Sequence, residues 1–361
     1  MSSTIKSKPD LTKIVPTPRD IIEAAPKYVA DTQQALPTSY LVWPSQLSYW
    51  DNNVDGDCVT AEEAFAKILV APYAFLSDGE VISWADQYNF ENGANLYDVM
   101  TTMQTQGIHF NGGMLYDGSP STVVWTDPQQ LQSAIYNSGP VKMGVAAENF
   151  QSNQHPVTPG KDGWALYGYP SGLAEDHCIG LCGYGSLSDL IGLFKSQGVN
   201  ISQSSGMPGG TWYAAFTWNS VGIIDEQSLI NMTGEAWVRS PVTTMSGFPQ
   251  VSEFQVKNDA GFVCDIHTLY RLPTSSGYTE VANKDNFPID KTKTMNIGTK
   301  CDYGKTGGIA NGDIVQLKIW VEAGSDNTYN GWFIYNNSGP TQSFKISGGT
   351  HDSAIEYLGP V

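Results

Sequence analysis

A cysteine stands at the entrance of one helical stretch, VDGDCVTAEEAFAKILVA, at residues 54–71. Apolar residues that begin with Phe65 follow at the spacing of one helix face. Thr60 and Glu63 have the T-x-x-E spacing of a capping box, which predicts that the helix begins at Thr60. A thiol at a helix N-terminus lies at the positive end of the helix dipole, which favours the thiolate. Cys58 therefore has the local setting of a nucleophile, although a small buried residue at a helix start has the same setting.

A base for this thiol has to come from one of the five histidines in the chain. His177, in AEDHCIGLCGYG, precedes an apolar strand that ends in Gly-Tyr-Gly. Asn219 lies further on, in TWYAAFTWNSVGI, beside Trp218 at the end of a predicted strand. An imidazole can take the proton of a thiol, and a side-chain amide can hold the ring in the useful tautomer. Cys58, His177 and Asn219 are therefore candidates for a catalytic triad.

The elements that must position these residues alternate irregularly between helices and strands. Residues 95–108 have the apolar spacing of a helix. A second helix is predicted at 127–139, with Asp127 as N-cap, Pro128 at the first helical position and Gly139 after the end. PVKMGVAA, HCIGLCGYG and TWYAAFTWNS have the composition of strands. Helices before strands suggest an α+β domain.

The sequence pattern changes at about residue 244. Short alternating runs follow, separated by Gly, Asn, Asp and Pro at the spacing expected of a β-sandwich. These features divide the chain into an irregular leader at 1–36, an α+β domain at 37–243 and an all-β, sandwich-like domain at 244–361.

Residues 37–240 resemble the papain family of cysteine peptidases, with the similar segments in the same order along the chain. DGDCVTAEEAF resembles the segment around the family's catalytic cysteine, EDHCIGLCGYG its histidine segment, and TWNSVG its KNSWG segment. LPTSYLVWPSQ, the block at 76–110 and SGPVKMGVAAENFQ are similar as well. The resemblance implies two lobes, one helical and one a β-barrel, with Cys58 and His177 facing each other across a cleft.

The resemblance also implies a role for each matching position. Cys58 would be the nucleophile, His177 the general base and then the acid for the leaving amine, and Asn219 the residue that orients His177. The activity that the resemblance implies is that of a peptidase that forms an acyl-enzyme, with a peptide or protein as substrate and no cofactor.

Further positions carry over for substrate contacts. The oxyanion hole would use the backbone N–H of Cys58 and a side-chain amide, for which Asn52 and Gln46 are alternatives. Gly93 matches the first glycine of the substrate-binding turn, and Ala94 replaces the second.

The chain departs from the family pattern close to the candidate triad. Asp55 stands where the family has a disulfide cysteine, and Val59 and Val221 replace two tryptophans. Asp57 adjoins the nucleophile, and its negative charge would raise the pKa of the Cys58 thiol if it faced the sulfur. The leader is shorter than the family's inhibitory pro-segment, and we hypothesise that it lies across the cleft.

Charge and cysteine usage exclude several other classes. The net charge of −17 makes nucleic acid an unexpected partner, and no apolar run is long enough to span a membrane. The start of the chain lacks a secretory h-region, which predicts a cytoplasmic protein or one exported by another route. No C-x-x-C spacing indicates a metal site, and Cys178 and Cys182 are predicted to be core residues. Cys264 and Cys301 are a candidate disulfide pair.

An alternative class is a binding protein. In this interpretation the β domain is a lectin-like or toxin-like module with a glycan or protein ligand, and the papain-like lobe is inert or active only under certain conditions. Four aromatic residues form a candidate sugar platform, although core packing explains them equally well: Trp320, Trp332, Phe333 and Tyr335. A third alternative is acyl transfer or ligation by the same triad, because the sequence does not reveal whether water or an amine resolves the intermediate.

Overall fold

The computed structural model describes residues 14–361 except 32, 45, 53, 71–73, 92, 111–112, 148–161, 173, 243, 272–277, 299–308, 310, 323 and 330. The described residues contain seven helices: α1 Arg19–Ala24, α2 Cys58–Val70, α3 Asp78–Tyr88, α4 Leu96–Thr105, α5 Pro128–Ser138, α6 Leu187–Ser196 and α7 Glu226–Met232. None of these helices has the length and apolar character needed to cross a membrane.

The strands up to residue 240 are β1 Tyr40–Leu41, β2 Ile108–Phe110, β3 Gly113–Tyr116, β4 Ser119–Thr122, β5 Val141–Val145, β6 Asp162–Gly163, β7 Ala165–Leu166, β8 His177–Ser186, β9 Asn200–Ile201, β10 Thr211–Thr217, β11 Ser220–Asp225 and β12 Thr233–Ser240. The later strands are β13 Thr244–Ser246, β14 Gln250–Val251, β15 Glu253–Asn258, β16 Cys264–Arg271, β17 Tyr278–Phe287, β18 Lys291–Asn296, β19 Ile314–Val321, β20 Asn327–Thr328, β21 Phe333–Tyr335, β22 Thr341–Ser347 and β23 Ala354–Pro360.

The chain folds into two compact units. The first consists of residues 1–108 and 115–244, and the second of residues 109–114 and 245–361. Residues 109–114 thus belong to the second unit, although the first unit holds the residues on both sides of them along the chain.

An eight-stranded sheet forms the centre of the first unit, in the order β4-β12-β5-β8-β10-β11-β7, with β1 also paired to β8. Its core takes fully buried residues from the sheet and from α5, such as Met143, Ile179, Leu181 and Leu131. The sheet is not a closed barrel, which corrects the β-barrel lobe implied by the resemblance. Within the described residues, β4 pairs only with β12 and the two-residue β7 only with β11, so the two ends of the sheet do not meet.

The predicted helix boundaries of this unit are confirmed where capping residues mark them. The Asp127 side chain accepts the N–H groups of Gln129 and Gln130, Pro128 begins α5, and Gly139 follows its end with φ 85°. Helix α4 begins after Asn95, whose side chain accepts a backbone N–H in the same way.

The second unit contains strands and no helix among its described residues. One sheet has the order β14-β21-β19-β16-β17 with β20 on β19, and another has the order β18-β15-β22-β23. The two sheets share one apolar core, to which β15 and β22 contribute Phe254 and Phe344 and β19 contributes Leu317 and Ile319.

Candidate active site

Helix α2 carries Cys58 as its first residue, earlier than the T-x-x-E pattern predicts. The Asp57 carbonyl accepts the Thr60 N–H, and the Thr60 hydroxyl donates to the same carbonyl at 2.8 Å and to the Asp57 carboxylate at 3.1 Å. Glu63 is bound elsewhere, so the predicted capping box is wrong. Cys58 therefore lies inside the first helical turn, where the helix dipole acts on its sulfur.

A buried ionic cluster holds Glu63 and fixes α2 on the sheet. The cluster consists of three acidic and three basic side chains, all essentially inaccessible to solvent: Glu62, Glu63, Asp117, Lys67, Lys142 and Arg239. Arg239 of β12 contacts Glu62 at 3.0 Å, and Lys67 contacts Asp117 at 2.5 Å. Lys142 of β5 also donates to the Val59 carbonyl at 3.0 Å, one residue after the candidate nucleophile.

Opposite charges favour the ionised forms of Glu63 and Arg239, whereas burial raises the pKa values of Glu62 and Asp117, the latter to about 7. Burial by itself would raise the pKa of Glu63, but the charges of Arg239, Lys142 and Lys67 outweigh it and hold that pKa below its usual range. Burial would lower the pKa of Arg239, and the neighbouring acids raise it instead. The position of Cys58 therefore depends on side chains that are paired inside the core.

His177 begins β8 and lies beside the end of β10, because these two strands run antiparallel. Its Nε2 is 2.7 Å from the Thr217 Oγ1. The Trp218 ring stacks on the imidazole, with 4.2 Å between ring centroids and 14° between planes. Both the hydroxyl and the indole are contacts that sequence analysis missed, although Trp218 adjoins the predicted Asn219.

The other imidazole nitrogen, Nδ1, is buried and has no hydrogen-bond partner. The residue after His177 lies close to the candidate nucleophile, because the Cys178 backbone N–H opposes the rise in the pKa of the Cys58 thiol. Close packing of α2 on β8 makes this approach possible, because a Cβ at Gly180 would lie 2.9 Å from the Glu62 carboxylate. The fold thus brings the Cys58 and His177 segments together.

Burial favours the uncharged forms of the Cys58 thiol and the His177 imidazole. The pKa of Cys58 is raised to about 12, mainly by burial and further by Asp57 and Asp176, against the opposing effects of the Cys178 N–H and Lys142. The pKa of His177 is lowered to about 3 by burial. Asp57 contributes to the rise in the pKa of Cys58, although burial also raises the pKa of the Asp57 carboxyl itself.

Asn219 lies in the two-residue turn between β10 and β11 rather than at the hydrogen-bonding end of β10. Thr217 pairs with Ser220 across this turn, and Trp218 and Asn219 have φ values of 44° and 56°. Positive φ at both central residues is the geometry of a type I′ turn, in which asparagine is favoured. The observed partner of His177 Nε2 is Thr217.

The loop before α2 carries the candidate oxyanion residue Asn52. Trp50 anchors this loop, because its indole is fully buried and donates to the Leu76 carbonyl at 2.7 Å. Trp50 and Asp51 have positive φ, and the Asn52 N–H donates to the Tyr49 carbonyl at 3.1 Å. Asn52 is buried, whereas the alternative Gln46 is exposed.

The candidate substrate-binding turn is paired with the leader. Gly93 has φ 110°, a conformation that glycine adopts readily. Ala94 forms a parallel bridge with Ile14, and its carbonyl accepts the Val15 N–H at 3.1 Å. The leader therefore occupies a backbone acceptor that the resemblance assigns to substrate.

Glu175 adds an unusual carboxyl group two residues before His177. Its carboxylate lies over Gly144 and Gly234, where any Cβ would overlap it. Glu235, which accepts the Thr17 N–H at 3.0 Å, is the charge that acts on it. The pKa of Glu175 is raised to about 7, first by burial and then by Glu235.

This pKa predicts a pH-dependent contribution to stability. An acid whose pKa is higher in the folded state favours folding when protonated, so its contribution is lost as the pH rises from about 4.5 to about 7. We expect Glu175→Gln to raise the melting temperature at pH 8 and to leave it nearly unchanged at pH 4. Thermal unfolding of both proteins at the two pH values tests this, with the exposed Glu322→Gln as control. An equal effect of Glu175→Gln at both pH values would contradict the prediction.

The remaining singled-out residues have structural surroundings. Asp176, predicted as a solvated loop acid, is half-buried and accepts the Ala147 N–H at 2.6 Å. Cys178 and Cys182 are buried free thiols on β8, as predicted. No group of three or more potential metal ligands lies within the described ranges.

The aromatic residues of the proposed sugar platform and the remaining histidines and cysteines differ in their exposure. Trp332, Phe333 and Tyr335 are buried, so Trp320 alone of the proposed sugar platform is exposed. His109 and His351 are exposed. His267 lies on β16 and Cys264 is buried, whereas His155 and Cys301 lie outside the described residues.

No family model and no curated protein match the chain. Among solved structures it is similar to xylellain, a cysteine protease from Xylella fastidiosa, at 13% identity and a TM-score of 0.45 over 66% of this chain and 98% of that one. A cysteine protease of Carica candamarcensis is similar at 16% identity and a TM-score of 0.38, over 56% and 98% of the two chains. The proform of a ragweed pollen cysteine protease is similar at 12% identity and a TM-score of 0.40, over 60% and 69%.

Proposed function

We propose that this protein is a thiol hydrolase with a papain-like arrangement, most simply a peptidase, that forms an acyl-enzyme on Cys58. The observation that carries the proposal is the junction of α2 and β8. Cys58 starts the helix, the Cys178 N–H acts on its thiol, and the adjoining His177 keeps one ring nitrogen unpaired and buried. Nucleophilic catalysis by a thiol requires a base within its reach, and the packing of α2 on β8 supports His177 as that base.

The reaction follows from these two groups. His177 Nδ1 takes the proton from the Cys58 sulfur as the sulfur attacks the substrate carbonyl carbon. The Cys58 N–H and the Asn52 side-chain amide are the proposed oxyanion donors, because Asn52 is buried and Gln46 is exposed. The imidazolium then returns the proton to the leaving amine, and the C–N bond breaks. Water, deprotonated by His177, hydrolyses the thioester and restores the thiol.

Cleavage of a mixed peptide library, read by mass spectrometry, tests this function. We expect the wild-type protein to yield products with new amino and carboxyl termini. Cys58→Ala should yield none and should keep the melting temperature within a few degrees, because the change removes only one sulfur atom. Cleavage that persists in Cys58→Ala would exclude Cys58 as the nucleophile. Products joined to an added amine would indicate acyl transfer by the same site.

The leader contact predicts an effect on substrate binding. We propose that Gly93 and Ala94 hold the substrate backbone and that Ile14 and Val15 compete for it, since the Val15 N–H already bonds to the Ala94 carbonyl. A chain that begins at residue 16 should have a KM several-fold lower than the full chain, with little change in kcat. A chain that begins at residue 11 keeps the contact and is the matched control. Equal KM values for the two shortened chains would contradict the competition.

A second candidate function is binding without catalysis. Burial of Cys58 and His177 and the shifts of both pKa values toward uncharged groups favour this alternative. Here the strands of residues 245–361 would bind a glycan or protein, and the α2–β8 junction would be inert. A thiol reactivity at Cys58 no greater than that of an unfolded control peptide would support this alternative over the first.

A further inference from the structure

The imidazole of His177 contacts a hydroxyl and an indole ring, and one of its nitrogens has no hydrogen-bond partner. Thr217 Oγ1 lies 2.7 Å from Nε2, Trp218 covers one ring face, and Nδ1 has no hydrogen-bond partner. Asn219, the position expected to orient the ring, instead forms the tight turn with φ 56°. Two residues therefore compete for the orienting role, and only one of them has the observed contact.

We propose that Thr217, and not Asn219, is the positioning residue of the catalytic histidine. The proposal rests on the proposed thiol hydrolase function. In the productive tautomer Nε2–H donates to Thr217 Oγ1, which leaves the Nδ1 lone pair to take the proton of Cys58. After that transfer the Nε2–H of the imidazolium makes the same bond as a charge-assisted hydrogen bond, which is stronger than the neutral one.

The β10–β11 hairpin also binds the backbone carbonyl of Thr217. The Ser220 hydroxyl donates to the Thr217 carbonyl at 2.7 Å, and the Trp164 indole donates to the Ser220 hydroxyl at 3.0 Å. Trp164 reaches this position because it lies against Gly222, where a Cβ would overlap its ring. Thr217 is itself buried and β-branched, so its hydroxyl has few alternative rotamers.

Trp218 and Thr217 act on the same charge by different means. The indole face attracts a cation stacked on it, and the hydroxyl accepts from the imidazolium. Together they offset part of the burial that otherwise favours the neutral imidazole. The charged groups that act on the Cys58 side of the pair, Asp57, Asp176 and Lys142, stay the same when Thr217 is changed.

Alkylation of Cys58 by iodoacetamide between pH 5 and 9, followed by intact mass, tests the proposal on the full chain. Thr217→Val keeps the shape and removes the hydroxyl. We expect it to lower the alkylation rate at pH 6 about 10- to 100-fold, the range that corresponds to one hydrogen bond to a charged group. Thr217→Ser restores the hydroxyl and should react within about threefold of wild type. Asn219→Ala should lower the rate less than Thr217→Val does.

A structural effect is separated from a positioning effect by a matched variant and by the pH profile. Thr268→Val makes the same change at a buried strand threonine in the second unit, and it should leave the profile unchanged. A larger loss in Asn219→Ala than in Thr217→Val, with His177-dependent alkylation intact in the wild type, would overturn this inference alone. Wild-type alkylation that does not depend on His177 would overturn the proposed function and this inference with it.

Discussion

Replacing His177 by alanine is expected to lower kcat/KM for peptide cleavage by about 10²- to 10⁴-fold, the usual contribution of a general acid–base group. The reason is the high pKa of the Cys58 thiol, about 12, which leaves almost no thiolate at neutral pH without a proton acceptor. His177 Nδ1 is the unpaired acceptor on the adjoining segment. In the proposed mechanism the same change removes the acid that protonates the leaving amine, so we expect both halves of the reaction to slow.

Initial rates on the best peptide from the library measure this effect. His109→Ala, at an exposed position of β2, is the matched control and should keep the wild-type rate. Circular dichroism and the melting temperature show whether His177→Ala folds. A folded His177→Ala that cleaves peptides at the wild-type rate would exclude His177 as the base.

Replacing Arg239 by methionine is expected to give the largest loss of stability, about 3–5 kcal/mol, the cost of breaking a buried ion pair by removing one partner. Arg239 contacts Glu62 at 3.0 Å and both Glu63 and Asp117 at 3.2 Å. Its removal leaves three buried carboxyl groups with two buried lysines, so Glu62 and Glu63 lose the charge that most strongly offsets their burial. Methionine fills much of the same volume, so the loss reflects charge rather than a cavity.

Urea unfolding followed by tryptophan fluorescence measures this loss. The unfolding transitions of the two units are fitted separately. Arg19→Met is the control, because Arg19 pairs with Glu23 at 2.9 Å on the exposed surface, where an ion pair contributes about 1 kcal/mol or less. Replacing Arg239 and Glu62 together by methionine should recover part of the loss. Equal losses for Arg239→Met and Arg19→Met would show that the ionic cluster does not hold α2 in place.

Local signals in the sequence account for the elements that frame the site. Asp127 and Pro128 predicted the start of α5, and the strand that begins at His177 was recognised from its apolar run. These features depend on residues close together along the chain, where capping and periodicity apply. The cysteine at the start of α2 was found for the same reason.

The ionic cluster could not be predicted in this way. Arg239 and Glu62 are 177 residues apart along the chain, and charged residues are normally expected at the surface. The capping box failed through the same cluster, since Glu63 has stronger partners in Lys142 and Arg239 than the backbone at Thr60.

Two further features depended on tertiary pairing. Among the described residues, the open ends of the central sheet follow from the pairing of β4 with β12 and of β7 with β11, which the composition of the strands does not encode. The register of the β10–β11 hairpin puts Thr217 at the imidazole and Asn219 in the turn. The W-N dipeptide at residues 218–219 was a signal for this turn, because asparagine tolerates positive φ.

Labelling by an irreversible thiol-directed epoxide, read by intact mass, tests whether Cys58 and His177 act as a nucleophile and its base. We expect a single adduct on the wild-type protein, located at Cys58 by peptide mapping. We expect no adduct on Cys58→Ala and strongly slowed labelling of His177→Ala. An absence of labelling on the wild-type protein, or labelling of Cys58 at the same rate with and without His177, would show that the two residues do not act as such a pair.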